Sequence, residues 1–379
     1  MMIKTVLFDV DGVILSEERY FDASALTVWE MLHSEHYLGL PGDAFAAAPE
    51  EAVIRRVREE VFARDEVLSF IKGRGINSNW DMVFLAFGYQ LVRLGRHLLD
   101  TDASTVRDIF AAQIDRKALQ RLRDLARSSQ IPFPIDYPAF VSDFSRSPLV
   151  KSELLLHLNT LVREYLDVET ELFSRNSELW QLCQETFQEW YLGDLLVQDS
   201  IGRPTAQPGK KGFLEDEIPL VDPAELRDIL LVLRERGYAL GIGTGRPTIE
   251  THVPLKALQL LDLFEANRVV TATHVLQAEE AYPELAPLAK PHPYCYLKGI
   301  SGLATADATV LQTPLPLENG GEILIVGDSL ADLLAARAIG CRFAATLTGL
   351  TGLEARAKFE EEKADYILND VSEILTILP

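Results

Sequence analysis

The stretch Ile3-Lys4-Thr5-Val6-Leu7-Phe8-Asp9-Val10-Asp11-Gly12 decides the fold. It opens as a short apolar, β-branched run and stops at two aspartates and a glycine, the pattern of a buried strand ending in a loop. A strand needs sheet neighbours, and the next comparable runs come much later: Tyr238 to Ile242, Arg268 to Thr273, Glu322 to Val326, Phe343 to Leu347 and Tyr366 to Leu368. Helical patterns separate them. The first is signalled by Asp222 as N-cap, Pro223 at the first helical position, Glu225 three residues after the cap and Gly237 as the stop, with Leu226, Ile229, Leu230 and Leu233 on one face. Strands alternating with helices imply a parallel sheet covered on both faces.

From about residue 16 to about 200 the texture is helical, with apolar residues at three and four spacing in Ser24 to Leu32, Glu51 to Phe62, Ala118 to Ala126, Ser152 to Tyr165 and Glu178 to Tyr191. No strand run interrupts it. The first strand therefore finds a sheet only by joining the later ones. The expected class is α/β, a three-layer parallel-sheet (Rossmann-like) core of residues 1–15 and 215–379, with a large all-helical domain, residues 16–199, inserted after strand 1. Ser200 to Gly212 crowds Gly, Pro and Lys without periodicity, so 200–214 reads as a return linker. Residues 302–321 read as an extra loop.

Composition narrows the function. The 379 residues carry 36 basic and 57 acidic side chains, a net charge of −21. Such a surface repels phosphate backbones and anionic lipids, which argues against nucleic-acid and membrane partners. A hydrophobic content of 47% with 25% charged residues is that of a folded globular chain. Cys183, Cys295 and Cys341 are odd in number and far apart, so neither a disulfide framework nor a zinc site is expected, and they read as small buried apolar residues. The N-terminal apolar run meets acidic residues too early for a secretory signal peptide, and no apolar run reaches the roughly 18 residues of a spanning helix. The expected location is cytoplasmic, and the oligomeric state is open.

Ligands of open parallel sheets bind beyond the carboxyl ends of the strands. Four polar signals stand at or near such ends: Asp9-Val10-Asp11-Gly12, Gly243-Thr244-Gly245-Arg246, Lys290-Pro291 before a short helix, and Gly327-Asp328-Ser329. On one sheet edge Asp9, Asp11 and Asp328 would crowd together, and like charges at 4 Å cost about 4 kcal/mol per pair at an effective dielectric of 20. Such a cluster calls for a cation, and all-oxygen donors favour Mg²⁺, which keeps its waters and takes substrate phosphate oxygens directly. Thr244 would offer a hydroxyl and Gly245 a backbone amide to a phosphate, and Lys290 a point charge. This is the inventory of a phosphoryl-transfer site.

The ordered set DVDGV (Asp9 to Val13), GTGRP (Gly243 to Pro247), KPHP (Lys290 to Pro293) and GDSLAD (Gly327 to Asp332) resembles the four signature motifs of the haloacid dehalogenase superfamily, in its phosphatase branch. The resemblance covers residues 1–15 and roughly 215–379, and it makes the helical insertion a cap domain. It implies that Asp9 is a nucleophile forming an aspartyl-phosphate and that Asp11 is the general acid and then base. It implies that Asp9, the Asp11 carbonyl and Asp328 hold Mg²⁺, with Asp332 ligating or hydrogen-bonding behind them. Thr244 and Lys290 would hold the phosphoryl group, with Gly245 and Arg246 beside them on the substrate side. The implied substrate is a small phosphorylated metabolite.

Rival readings stand beside these. Gly243-Thr244-Gly245 could be only a tight turn, and Ser329 with Asp332 has capping-box spacing, which explains Asp332 without a metal. Gly327-Asp328-Ser329-Leu330 also spells a serine-esterase motif, but no histidine lies beyond His292 to act as base. His292 itself reads as structural. Within the same fold, a phosphomutase would use Asp9 and Asp11 but release no free phosphate, and a dehalogenase would dispense with Asp11. A non-catalytic phosphometabolite-binding protein would keep the fold without turnover. In the helical domain, Lys72-Gly73-Arg74-Gly75-Ile76-Asn77-Ser78-Asn79-Trp80-Asp81 combines cations, amides and glycines. It reads either as a specificity loop in which Lys72 and Asn77 contact substrate or as a surface turn whose Asn79 or Asp81 caps the next helix. Glu17, Arg19 and Tyr20 are expected to line the cap entrance.

Overall fold

The computed structural model describes residues 2–129 and 131–378. Six strands build one sheet: β1 (Thr5–Phe8), β2 (Ala239–Gly243), β3 (Val269–Val270), β4 (Ile323–Gly327), β5 (Arg342–Thr346) and β6 (Tyr366–Leu368). All pairings are parallel, in the order β3-β2-β1-β4-β5-β6. Side chains alternate across the pleat, and each face has its own apolar layer. Val6, Phe8, Leu240, Ile242, Leu324 and Val326 pack with Leu226, Leu230 and Leu233 of helix Pro223–Glu235 on one side. Leu7, Val270, Ile325, Phe343 and Ala345 pack with Val275, Leu297, Leu333 and Ile339 on the other. This is the three-layer α/β core that the strand–helix alternation implies.

The Arg268 to Thr273 run yields only two strand residues. Thr271 turns out of the strand, and its backbone N–H donates to His274 Nδ1 (3.1 Å), starting helix Ala272–Ala281 at once. Residues 302–321 are more than a loop: helix Asp307–Leu311 buries Val310 in the second layer, and Asp307 takes Tyr294 Oη at 2.7 Å and Lys298 Nζ at 2.5 Å.

The chain forms two compact units, Met1–Glu17 with Leu214–Pro379, and Glu18–Phe213. In the first, the ingoing and outgoing connections run side by side: Leu15 and Pro219 form an antiparallel bridge, Ser16 N donates to Ile218 O (2.8 Å) and Leu220 N to Ile14 O (3.0 Å). The second is helical. Its helices include Glu18–His33, Glu51–Val61, Glu66–Gly73, Asn79–Phe110, Arg116–Ser129, His157–Leu166 and Glu178–Ile201, and no strand occurs among its described residues. Helix Glu18–His33 is buried from Arg19 through Leu32, so it is the unit's central rod.

Composition misleads over 200–214. Helix Glu178–Ile201 bends at Gly193 (φ 73°), where a Cβ would lie 2.5 Å from the Lys211 carbonyl, so only glycine lets the returning chain approach. Asp194 N donates to Lys210 O and Phe213 N to Tyr191 O. Lys210 is fully buried, its ammonium 2.9 Å from Glu30 and 2.6 Å from Glu189, and Arg203 adds a contact to Glu189 at 2.9 Å. The segment is part of the helical unit's core because this lysine neutralises two buried carboxylates. Among the described residues no helix is long and apolar enough to cross a membrane.

Candidate active site

In the strand order β3-β2-β1-β4-β5-β6 the chain builds outward from β1 to β3 and then returns to the other side of β1. The crevice at the carboxyl ends of β1 and β4 is thus a topological switch point, where an open α/β sheet takes its ligands. Asp9 follows β1 and Asp328 follows β4. Together with Asp332 they offer carboxylate oxygens all within 4.8 Å of one another.

Lys290 ties two of the three, with Nζ 2.8 Å from Asp9 Oδ2 and 2.8 Å from Asp332 Oδ1. Its ammonium also sits 4.8 Å over the Tyr296 ring, whose hydroxyl donates to Asp332 Oδ1 at 2.7 Å. On the other oxygen, Asp332 Oδ2 accepts from Ser329 Oγ (2.6 Å) and Ser329 N (3.3 Å), and Asp332 N donates back to Ser329 Oγ, a complete capping box on helix Leu330–Ile339. The roughly four lone-pair sites of this carboxylate are therefore taken. Burial pushes Asp332 up, but Lys290, Ser329 and Tyr296 outweigh it and hold the carboxyl below the usual range. The lysine responds in kind: burial disfavours its charge, yet Asp332 and Asp9 hold it well above its ordinary value.

Asp9 is poised differently. Burial pushes it up to about 7, with Lys290 opposing and the Asp332 and Asp11 charges adding to the rise. Asp328 is held well above the carboxylate range, first by burial and then by Asp332, Asp9, Glu17 and Asp11. No described residue forms an ion pair with Asp328. A Cβ on Gly12 or on Gly349 would fall 2.2 or 2.0 Å from Asp328 Oδ2, so two glycines make the cradle for this one carboxylate. Gly12 also needs its positive φ of 68°, and its carbonyl accepts from Thr346 Oγ1 (3.0 Å) and Thr348 Oγ1 (2.7 Å). Hard oxygen donors crowded about a carboxylate that lacks a countercharge suit a small divalent cation.

Thr244 is buried, and its hydroxyl oxygen accepts from Arg246 N (3.1 Å), which leaves its O–H to donate. Gly245 is exposed, with open space where a Cβ would stand. Arg246 corrects an expectation. Rather than standing on the substrate side, its side chain is 1% exposed and turns inward, with Nε and Nη2 on Asp11 Oδ1 (2.8 and 2.6 Å) and Nη1 on Glu217 Oε1 (2.7 Å).

Residues expected of the cap fall in the helical unit. Arg19 is buried on Asp22 and Glu51 (3.1 Å each), and Tyr20 stacks on Tyr191 at 4.4 Å. Lys72 lies in the last turn of helix Glu66–Gly73 with its ammonium 5.3 Å from the Phe21 ring, Asn77 is exposed, and Arg74 donates to the Ser147 and Leu149 carbonyls. The cap of helix Asn79–Phe110 is Ser78, not Asn79 or Asp81; Asp81 is buried and accepts from Trp180 Nε1 (2.8 Å) and pairs with Arg175. Tyr296, Glu217, Thr346, Thr348 and Gly349 went unread in the sequence. The Thr346-Leu347-Thr348-Gly349 string at the end of β5 was the one visible signal.

A family model described as HAD-hydrolase-like matches residues 287–374. The phosphoglycolate phosphatase of Pasteurella multocida (strain Pm70) is 30% identical over 154 residues, 40% of this chain and 55% of that one. That of Haemophilus influenzae (strain 86-028NP) is 29% identical over 156 residues, with the same two shares. The chain thus spans about half the length of the curated relatives it matches. A crystal structure of a Northeast Structural Genomics Consortium target is 35% identical, covers 99% of this chain and 98% of its own, and superposes with a TM-score of 0.90.

Proposed function

Since the chain belongs to the haloacid dehalogenase-like hydrolases, we propose that it is a Mg²⁺-dependent phosphohydrolase cleaving a phosphate monoester of a small metabolite through an aspartyl-phosphate on Asp9. The observation that carries this reading is the convergence of the Asp9, Asp328 and Asp332 carboxylates at the switch point, with one ammonium bridging Asp9 and Asp332 and none on Asp328, and with Asp11 two residues beyond the first.

Asp9 attacks phosphorus with the oxygen turned from Lys290, and Lys290 offsets charge gathering on the transferring group. Asp11 donates a proton to the departing alcohol oxygen and afterwards takes one from the attacking water. The Thr244 hydroxyl and the Gly245 amide hold phosphoryl oxygens. Asp9, Asp328 and the Asp11 carbonyl would hold the cation. Bound there, Mg²⁺ supplies positive charge that draws Asp9 into its ionised form and polarises the phosphoryl oxygens. Asp332, whose oxygens are already engaged, acts by fixing Lys290.

The test is phosphate release with Mg²⁺ across sugar phosphates, nucleotides, amino-alcohol phosphates and phosphoglycolate, the last because it names the curated relatives. Release from one class well above the Asp9→Asn background is expected, and release no faster than that background on every class overturns the reading. Cation binding has its own check. Gly349→Ala drives a methyl into the Asp328 carboxylate, and Mg²⁺ affinity by calorimetric titration is expected to fall about 10- to 100-fold, as when the support of a ligand is removed.

A further inference from the structure

The geometry points to a role for Arg246 and Glu217 as a two-residue clamp that orients Asp11, resting on the hydrolase reading above. A general acid is useful only if its proton is within hydrogen-bond reach of the leaving oxygen, and a carboxyl on a free χ1 spends much of its time elsewhere. Here the freedom is removed. Two N–H groups of one guanidinium, Nε and Nη2, close on the same oxygen, Asp11 Oδ1, at 2.8 and 2.6 Å. No described residue hydrogen-bonds Asp11 Oδ2, which is the oxygen left to face a leaving group, and the Asp11 side chain keeps 27% of its surface open.

The arginine is held from behind. Nη1 donates to Glu217 Oε1 at 2.7 Å and reaches the Glu250 carbonyl at 3.4 Å, and both Arg246 and Glu217 side chains are 1% exposed. Its backbone is pinned as well, with N on Thr244 Oγ1 (3.1 Å) and O accepting from Ala272 N (2.9 Å). A guanidinium fork presents several donors in one rigid plane, which a lysine cannot reproduce. Burying it on two carboxylates gives each a fixed direction. Glu217 lies three residues past Leu214, where the second segment of the sheet unit begins, so the clamp is assembled from the first motif, the second motif and that returning segment. Arg246 and Glu217 touch no reacting atom and are positioning residues: the first turns Asp11, the second turns the first.

Leaving-group dependence isolates this role. 4-Nitrophenolate departs without a proton, whereas phenolate of nearly the same shape needs one more. The readout is the ratio of kcat/KM for 4-nitrophenyl phosphate to that for phenyl phosphate, which reports the step in which the P–O bond breaks and the Asp11 proton moves to oxygen. In Arg246→Lys the ratio is expected to rise about tenfold or more, within what a displaced general acid forfeits. In Glu217→Gln, where the amide oxygen still accepts from Arg246, it rises less and in the same direction. A merely structural role lowers both rates in parallel, and an unchanged ratio in both variants overturns the clamp. Should Arg246→Lys not fold by circular dichroism, Glu217→Gln decides alone. Wild-type protein that releases phosphate from neither aryl ester nor any phosphate of the panel sinks the hydrolase reading, and the clamp with it.

Discussion

Asp9→Asn is expected to lower phosphate release by about 10⁴-fold or more, the loss that follows removal of a nucleophile whose partners act as a unit with it. The same substitution is expected to stabilise the fold in metal-free buffer. Lys290 balances one charge, and Asp332 already supplies it; Asp9 is surplus, which is why burial carries it to about 7. A carboxyl raised in this way binds more protons folded than unfolded between about pH 4 and 7, so its contribution to stability falls as pH rises through that window. Thermal melts in chelator at pH 8 should give the Asn variant a higher Tm than wild type, with the difference closing at pH 5. A variant that is inactive and less stable at both pH values would mean that Asp9 is structural. On the proposed mechanism Asp9 has to ionise against the fold's own preference, a conflict of the kind expected at a site built for chemistry.

Lys210→Met carries the largest effect on stability. Without the ammonium, Glu30 and Glu189 face each other with no access to water, and a buried pair broken from one side costs about 3–5 kcal/mol. Arg203 still contacts Glu189, so Glu30 takes the greater part of the damage. In the wild type, burial already pushes Glu30 up to about 7, with Lys210 opposing and Glu189 adding. Its stabilising protonated form is complete below about pH 4.5 and lost as pH rises through 7. The variant should therefore lose stability more steeply than wild type between pH 5 and 8 in urea titrations, and Glu30→Gln on top of it should recover much of the loss. Equal slopes for the two proteins would show that the three groups are not coupled.

What the sequence disclosed was local. The Asp9 to Gly12 loop, the Asp222 cap with its hydrogen bonds to Ala224 N and Glu225 N, and the Ser329–Asp332 box each depend on neighbours a few residues apart, and periodicity or spacing records them. The clamp on Asp11 was illegible because Arg246 lies 235 positions from its partner, and an arginine in a glycine-rich motif looks the same whether it faces ligand or core. Lys210 misled for a related reason. Glycine, proline and lysine together mimic an open connection, and only the packed helices reveal two carboxylates waiting for that ammonium. Arg19 and Tyr20 followed the first motif closely in sequence, but a helix buried nearly all round drew them inward.

The paired connections at Leu15 and Pro219 bear on how such a chain diversifies. Closing a flexible segment between two points costs free energy that grows only with the logarithm of its length, about 0.6 kcal/mol per doubling. Here the two points are already hydrogen-bonded to each other, so the sheet pays the closure term once and is indifferent to what is hung between them. Mutation and recombination are then free to lengthen, shorten or replace everything from Glu18 to Phe213 while Asp9, Asp328 and Lys290 keep their places. One bridge of backbone hydrogen bonds thereby lets the sheet unit keep its carboxylate cluster whatever is inserted between its two segments.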